Sequence, residues 1–474
     1  MVVLFGLLAV SVLPMNSLAP SLPELKMSTV KLPFDVLPEK AEILDVPTEA
    51  ALPNVVPFNK DMVDAETVSE TGNGIYVAVL DTGLLSNYLY FFPPDKVDIK
   101  EEWGKGFTHD VTYNETTMQL DFGPLRDDRG FITHDYLNPN PPPNPFGTGF
   151  GSGHGTHVTS IITGWYLNRA GVQYWVEGVA PKVTIIPVLV LDDWLYYNST
   201  DGYWYLETGG TWEMVAAGIR YVGDLAAKYK VKIVINMSLG GSEPNDLIED
   251  AINYAIRKGV IIVASAGNSG EAGMGWPGAY PQVISVAAAG WTQEYISYYL
   301  GTPNAWYWWI EDVPEKLWTA DPLGNKFQVY LTDFSSRPNP DLGQHIWDLD
   351  VAAPGAGVKG PYKPYGTGQW NYYSVWGTSQ AAPHVTAIAA LVLQDYPKTN
   401  QLTMELILKA AGLLNRLTQL CEKERTAYVF DIFTYEVIPY TWTWKDYGTG
   451  LLQADAALDV ANLMFHPRTR GCPR

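Results

Sequence analysis

A mostly parallel, doubly wound α/β sheet with helices on both faces is the architecture this sequence predicts, and three observations predict it. Short β-branched runs recur at IYVAVL (75–80), VTIIPVLVL (183–191), VKIVIN (231–236), VIIVASA (260–266) and VISVAAA (283–289). These runs are continuously apolar rather than alternating, the pattern of strands buried on both faces. Patterns of helical length separate several of them, at 155–165, 211–229 and 245–258, which makes βαβ units.

Taken in order, the first strand stops at Asp81-Thr82-Gly83, a carboxylate where an apolar run ends. The helix of 155–165 follows a Gly-rich entry, Gly151-Ser152-Gly153-His154-Gly155-Thr156-His157. The run 183–191 leads into DDWLYYNSTDGYWYLETGG (192–210), and the helix of 211–229 follows. The run 231–236 continues into MSLGG, and 260–266 ends in Gly267-Asn268-Ser269-Gly270. Near the C-terminus, Trp376-Gly377-Thr378-Ser379-Gln380-Ala381-Ala382-Pro383-His384 opens the apolar run VTAIAALVLQ, with Pro383 expected in the first helical turn, where a missing N–H costs nothing.

The 474 residues allow up to three domains at about 150 residues each, but the alternation points to one large domain over 56–465. Met1 to Ala19 has the apolar core and small-residue end of a secretory leader. Residues 20–55 are rich in Pro and acidic side chains and read as a linker or propeptide remnant; 466–474 are a tail. Insertions are expected at about 108–150, 192–210, 292–330 and 414–446; the first three are long irregular stretches, and within the last, 426–444 alternates like a β-hairpin. Cys421 and Cys472 either staple the tail or are two separate thiols.

With 31 Lys/Arg against 51 Asp/Glu, a net charge of −20 and no basic cluster, nucleic-acid binding is excluded as a function class. No other stretch has the length of an apolar membrane span. Charged side chains make up only 17% while Trp (17) and Tyr (29) are abundant, and much of that aromatic excess falls in the expected insertions. Few ionisable groups limit the self-repulsion that protonation brings, so the composition fits acidic surroundings; it lacks the Lys/Glu enrichment associated with heat.

Ligands of open α/β sheets bind outside the carboxyl ends of the strands, which is where Asp81 and Asn268 fall. Singly, Asp81 reads as a turn cap, Asn268 as a turn former and Ser379 as a helix N-cap. Together, Asp81, His154 and Ser379 supply what acyl transfer needs: a hydroxyl, an imidazole to take its proton, and a carboxylate to fix the imidazole tautomer. The Asn268 amide and the backbone N–H of Ser379 supply an oxyanion hole. His154 and His157 are three apart, but no HExxH motif, third ligand or nearby Cys accompanies them, which argues against zinc.

The motifs VAVLDTG, HGTHVTS, VINMSLGG, ASAGN, WPGAYPQVISVAA, VAAPG and GTSQAAPHV stand in this order over about residues 55–465, and in them the chain resembles the subtilisin-like serine proteases. The resemblance implies a subtilisin-like fold carrying aromatic-rich insertions. It also implies a secreted or cell-surface serine endopeptidase, acting as a monomer on protein or peptide substrates without a cofactor for chemistry. It assigns Ser238, Leu239 and Gly240 to an edge that pairs with extended substrate, and Ser265, Ala266, Gly267 and Gly275 to the primary specificity pocket. Gly209 and Gly210 form the second edge, with 192–210 as its rim. Leu239, Ala266 and Gly275 make that pocket roomy and apolar, favouring large apolar side chains. Asn236, in a formal Asn-x-Ser sequon, is then expected to be buried.

Three departures stand out. Gln380 occupies the position after the nucleophile where the family usually carries Met, so tolerance of oxidants is expected there. The family's Asn-rich calcium loop after the His helix is replaced by LNRAGVQYW, including Arg169, so a structural calcium would sit at an unknown site elsewhere, such as Asp192 and Asp193. The stretch between Ala19 and the first catalytic strand is too short for the family's folded inhibitory prodomain plus a mature N-terminus, which argues against a self-inhibited zymogen. Two rival readings are weaker: an aspartic protease needs a second DTG or DSG, which is missing, and an inactive subtilase-like binding or surface protein would not keep all four catalytic groups.

Overall fold

The computed structural model describes residues 25–27, 32, 40–43, 54–114, 116–117, 119–133, 135–137, 151–169, 172–292, 328–366, 369–417, 423–431, 434 and 436–466. The leader, most of 292–330, Cys421 and Cys472 therefore lie outside the described residues.

Each of the five predicted runs is a strand. Tyr76–Asp81, Thr184–Leu189, Ile233–Met237, Ile261–Ser265 and Ile284–Trp291 pair in parallel, with Tyr76–Asp81 between Thr184–Leu189 and Ile233–Met237. Val351–Pro354 adds in parallel beyond Ile284–Trp291. The chain thus leaves Tyr76–Asp81 toward one side of the sheet and returns on the other, which opens a crevice at the carboxyl end of that strand. The three predicted helices form as His154–Thr163, Trp212–Tyr229 and Asp246–Arg257. Thr211 and Asn245 begin the latter two by accepting the N–H groups of Met214 and Leu247 on their side chains.

The helix Thr378–Asp395 packs on the sheet against Ile233–Met237, Ile261–Ser265 and Ile284–Trp291. It is buried all round from Thr378 to Leu393, so truncating Ile388 or Leu391 to Ala would cost about 2–5 kcal/mol. Pro383 is the sixth residue of this helix, not part of its first turn as expected. Its missing N–H would have bonded the carbonyl of Ser379, four residues back. That carbonyl instead accepts from the Ser238 hydroxyl at 2.7 Å.

Two expected irregular insertions are regular in their described residues. The first begins as a long antiparallel hairpin, Lys105–Asn114 with Gln119–Arg129, which extends the edge of the central sheet beside Thr184–Leu189. The second is the hairpin Asp192–Asn198 with Tyr203–Gly209, turning at 199–202. Aromatic side chains join the two hairpins: Tyr113 stacks on Tyr196 at 5.4 Å and Phe122 meets Trp194 edge to face at 5.6 Å. Glu424–Asp431 and Glu436–Thr443 pair antiparallel as well. The stretch containing Arg169 is also a hairpin, Gly164–Arg169 with Val172–Glu177. Residues 20–55 include three short strands among those described: Leu25–Met27 lies parallel on Tyr203–Gly209, Lys40–Ile43 antiparallel on Asn371–Trp376, and Asn54–Val55 parallel on Val172–Glu177. Among the described residues no helix is long and apolar enough to cross a membrane.

Candidate active site

Asp81 ends the central strand, and His154 is the first residue of its helix; both are fully buried. His154 Nδ1 lies 2.7 Å from Asp81 Oδ1, which also accepts the Thr82 N–H at 2.7 Å. An imidazole nitrogen facing a carboxylate carries the proton, so the pairing leaves Nε2 as the basic nitrogen. Thr82 ties the two elements together: its hydroxyl donates to the Ser152 carbonyl at 3.2 Å and accepts the Gly155 N–H at 3.0 Å. Gly155 has to be glycine here, because a Cβ would fall 2.3 Å from the Gly83 carbonyl oxygen and 3.2 Å from Asp81 Cβ.

Ser379 is the second residue of the buried helix, and that helix packs against the one that begins with His154. Its hydroxyl donates to the Ser238 carbonyl at 3.3 Å. Its N–H belongs to the first turn, whose N–H groups have no carbonyl partner within the helix, and the helix dipole there favours negative charge. Asn268 stands in the turn after Ile261–Ser265, and its Oδ1 accepts both the N–H and the hydroxyl of Thr378, each at 2.8 Å. That fixes the amide with its Nδ2 donor end turned away from Thr378. Gly267, at φ +110, sends its N–H to the Thr378 hydroxyl at 3.1 Å.

Of the residues predicted for substrate contact, Gly240, Ala266 and Gly275 adjoin one another. The Gly275 N–H bonds the Ala266 carbonyl at 2.8 Å, and a Cβ on Gly275 would meet Gly241, Gly240 and Ala266, so these form one wall. Leu239, Ser265 and Ala266 are buried beside it. Ser238 is held by Asn236, whose Nδ2 donates to its Oγ at 3.0 Å while Thr386 donates to Asn236 Oδ1 at 2.9 Å; Asn236 is fully buried, as expected. Gly209 ends its strand at φ 144, and Gly210 sits under the Val190 carbonyl, which a Cβ would approach to 2.4 Å.

His157 is separated from His154 in role: its Nε2 donates to the Val358 carbonyl at 3.2 Å. Among the described residues no group of three or more His, Cys, Asp or Glu side chains fits a metal ion. Asp192 does not fit as the alternative calcium ligand, since Arg129, the Asp193 N–H and the Thr108 hydroxyl occupy its two oxygens. Sequence reasoning missed Thr82 and Thr378, the short hydroxyl residues that orient the others. Their signal was their place directly beside Asp81 and Ser379.

Residues 72–427 match the model of the Subtilase family. The chain is 31% identical over 343 residues to a subtilisin of Bacillus sp. (strain TA39), covering 70% of this chain and 60% of that protein. It is 32% identical over 239 residues to thermitase of Thermoactinomyces vulgaris, covering 50% and 60% respectively. It is 27% identical over 370 residues to subtilisin DY of Bacillus licheniformis, covering 77% of this chain and 90% of that protein. The alignments thus span about three fifths of the first two relatives. The solved structure of sphericase superposes with a TM-score of 0.51 at 24% identity, covering 85% of this chain and 99% of that one, a likeness of fold. Motifs, fold and family model agree, and the chain belongs to the subtilase family.

Proposed function

We propose that the protein is a secreted subtilisin-like serine endopeptidase with Asp81, His154 and Ser379 as its triad. The observation that carries this reading is the buried Asp81–His154 pair, at 2.7 Å, whose histidine begins a helix that packs against the one bearing Ser379. The Ser379 hydroxyl turns from the Ser238 carbonyl toward His154 Nε2 and attacks the scissile carbonyl carbon as Nε2 takes its proton. The Asn268 Nδ2 and the Ser379 N–H receive the oxyanion. Collapse of the tetrahedral species breaks the C–N bond, and the imidazolium gives its proton to the leaving amine. Water, deprotonated by His154, then hydrolyses the acyl-enzyme and restores the Ser379 hydroxyl.

Ser238, Leu239 and Gly240 on one side and Gly209 and Gly210 on the other clasp the extended substrate in this reading. The apolar wall of Leu239, Ala266 and Gly275 prefers large apolar side chains on the acyl side of the bond. Residues 1–19 serve as a leader and 20–55 as a propeptide remnant; pairing of Lys40–Ile43 with the strand that runs into Gly377-Thr378-Ser379 supports that role. The enzyme acts as a monomer outside the cell or at its surface. Casein hydrolysis abolished by Ser379→Ala, with Phe and Leu chromogenic peptides cleaved faster than Lys and Glu ones, is the expected result. Undiminished hydrolysis by Ser379→Ala would remove the mechanism, and a Lys or Glu preference would remove the pocket assignment.

A further inference from the structure

The two hairpins that replace the expected irregular insertions are joined by a set of buried polar contacts, and all of them lead to one place. Asp192 pairs with Gly209 across the second hairpin. Its Oδ1 receives Arg129 Nη2 at 2.7 Å and the Asp193 N–H at 2.9 Å, and its Oδ2 receives the Thr108 hydroxyl at 2.6 Å. Arg129 and Asp192 are both nearly inaccessible to solvent. One residue further along the first hairpin, His109 Nδ1 lies 2.8 Å from the Gly123 carbonyl and Nε2 lies 2.9 Å from the Thr211 hydroxyl. The nitrogen facing a carbonyl carries the proton, so Nε2 accepts from Thr211. The Thr211 oxygen then accepts the Met214 N–H and starts the helix that follows. The His109 carbonyl in turn accepts from Trp194 Nε1 at 3.1 Å.

Gly209 and Thr211 are thus each held from the hairpin Lys105–Asn114 with Gln119–Arg129, Gly209 through Asp192 and Thr211 through His109. Gly209, at φ 144, ends its strand opposite Asp192 and has no side chain of its own to hold its backbone. We propose that Arg129, Thr108 and His109 are positioning residues that hold Gly209–Thr211 in register to pair with the acyl-side backbone of an extended substrate, so that the inserted hairpin sets the enzyme's preference for substrate length. The inference rests on the reading of Gly209 and Gly210 as a substrate edge. A substrate occupying only the primary pocket does not touch that edge and is indifferent to it. A peptide reaching four residues back from the scissile bond gains backbone hydrogen bonds there, and holding the edge in place spares their ordering cost.

The test compares a blocked single-residue aromatic ester with a blocked tetrapeptide anilide of the same terminal residue, on the full-length wild type, Arg129→Met, Arg129→Lys, Thr108→Val and His109→Gln. Thr108→Val and His109→Gln keep the experiment informative if Arg129→Met does not fold, and circular dichroism melts establish which variants are folded. Loss of two hydrogen bonds of ordinary strength predicts that kcat/KM on the tetrapeptide falls about 10-fold, chiefly through KM. The ester stays within about 2-fold of wild type, and Arg129→Lys recovers most of the loss because a single N–H contact is restored. Equal losses on both substrates, or no loss on either by any folded variant, overturn the proposal. A wild type with no preference for the tetrapeptide overturns instead the assignment of Gly209 and Gly210 as an edge.

Discussion

The hydroxyl of Ser238 donates to the carbonyl of Ser379 at 2.7 Å, filling the place of the N–H that Pro383 lacks. One residue of the proposed substrate edge is thereby bonded to the backbone of the proposed nucleophile, inside the core. The contact is supported from behind by Asn236 on the strand and Thr386 on the helix that meet there.

Ser238→Ala should therefore leave a buried carbonyl unsatisfied and cost about 1–3 kcal/mol. Adding Pro383→Ala returns an N–H to the position four residues on, so the double variant should be more stable than Ser238→Ala alone. Thermal melts of the four proteins in the cycle check this, and simple additivity of the two changes would contradict it.

Thr378 sets the Asn268 amide by donating twice to its oxygen. Asn268→Leu should lower kcat about 10²–10³-fold with little change in KM, a magnitude carried over from subtilisin rather than derived from this geometry. Thr378→Val keeps the backbone donor and loses the hydroxyl, so a smaller loss, about 10-fold and again in kcat, is expected. A Thr378→Val enzyme with unchanged kcat would show that Asn268 is fixed by other means.

Stability should favour mild acid. Burial pushes the Asp64 carboxyl up to about 8, with Asp455, Glu66 and Asp61 adding to the rise, and burial likewise carries Glu66 and Asp350 to about 7. Each of these binds a proton in the folded protein that the unfolded chain has released, so stability rises as pH falls from about 8 through 7 toward the ordinary carboxylate range. His384 acts oppositely. Its Nδ1 donates to the Gln380 carbonyl at 2.8 Å and its Nε2 faces Asn59 Nδ2 at 2.9 Å, and burial lowers it to about 4. The unfolded chain protonates this imidazole near 6.5, so His384 withdraws up to about 3 kcal/mol between 6.5 and 4. Three carboxyls outweigh one imidazole, and the melting temperature of Ser379→Ala, which cannot digest itself, should be higher at pH 5.5 than at pH 8.5. A steady fall in melting temperature from pH 8.5 to 5.5 would contradict this.

Much of the fold was legible because the central strands are continuously apolar and the helices between them are long, and both patterns survive without tertiary context. Asp81, His154, Ser379 and Asn268 stood out in the sequence because each sits at the end of such a strand or the start of such a helix, and the structure places them at those ends. The two hairpins at 105–129 and 192–209 were not, since their strands are rich in charge, Gly and aromatics, and their pairing is decided by contacts such as Arg129–Asp192 between segments 63 residues apart. Pro383 misled for a related reason: from the sequence alone it looked like a first-turn proline, while its tolerance deeper in the helix depends on Ser238, far away in the chain.

The central claim is that Ser379 is the nucleophile activated by His154. Labelling the folded full-length protein with a serine-directed fluorophosphonate, followed by mass spectrometry of the digested product, tests it most directly. The account predicts a single modified peptide carrying the adduct on Ser379, loss of peptidase activity in proportion to labelling, and no labelling of His154→Ala. Labelling at another serine with matching loss of activity, or full activity after Ser379 is modified, would contradict it.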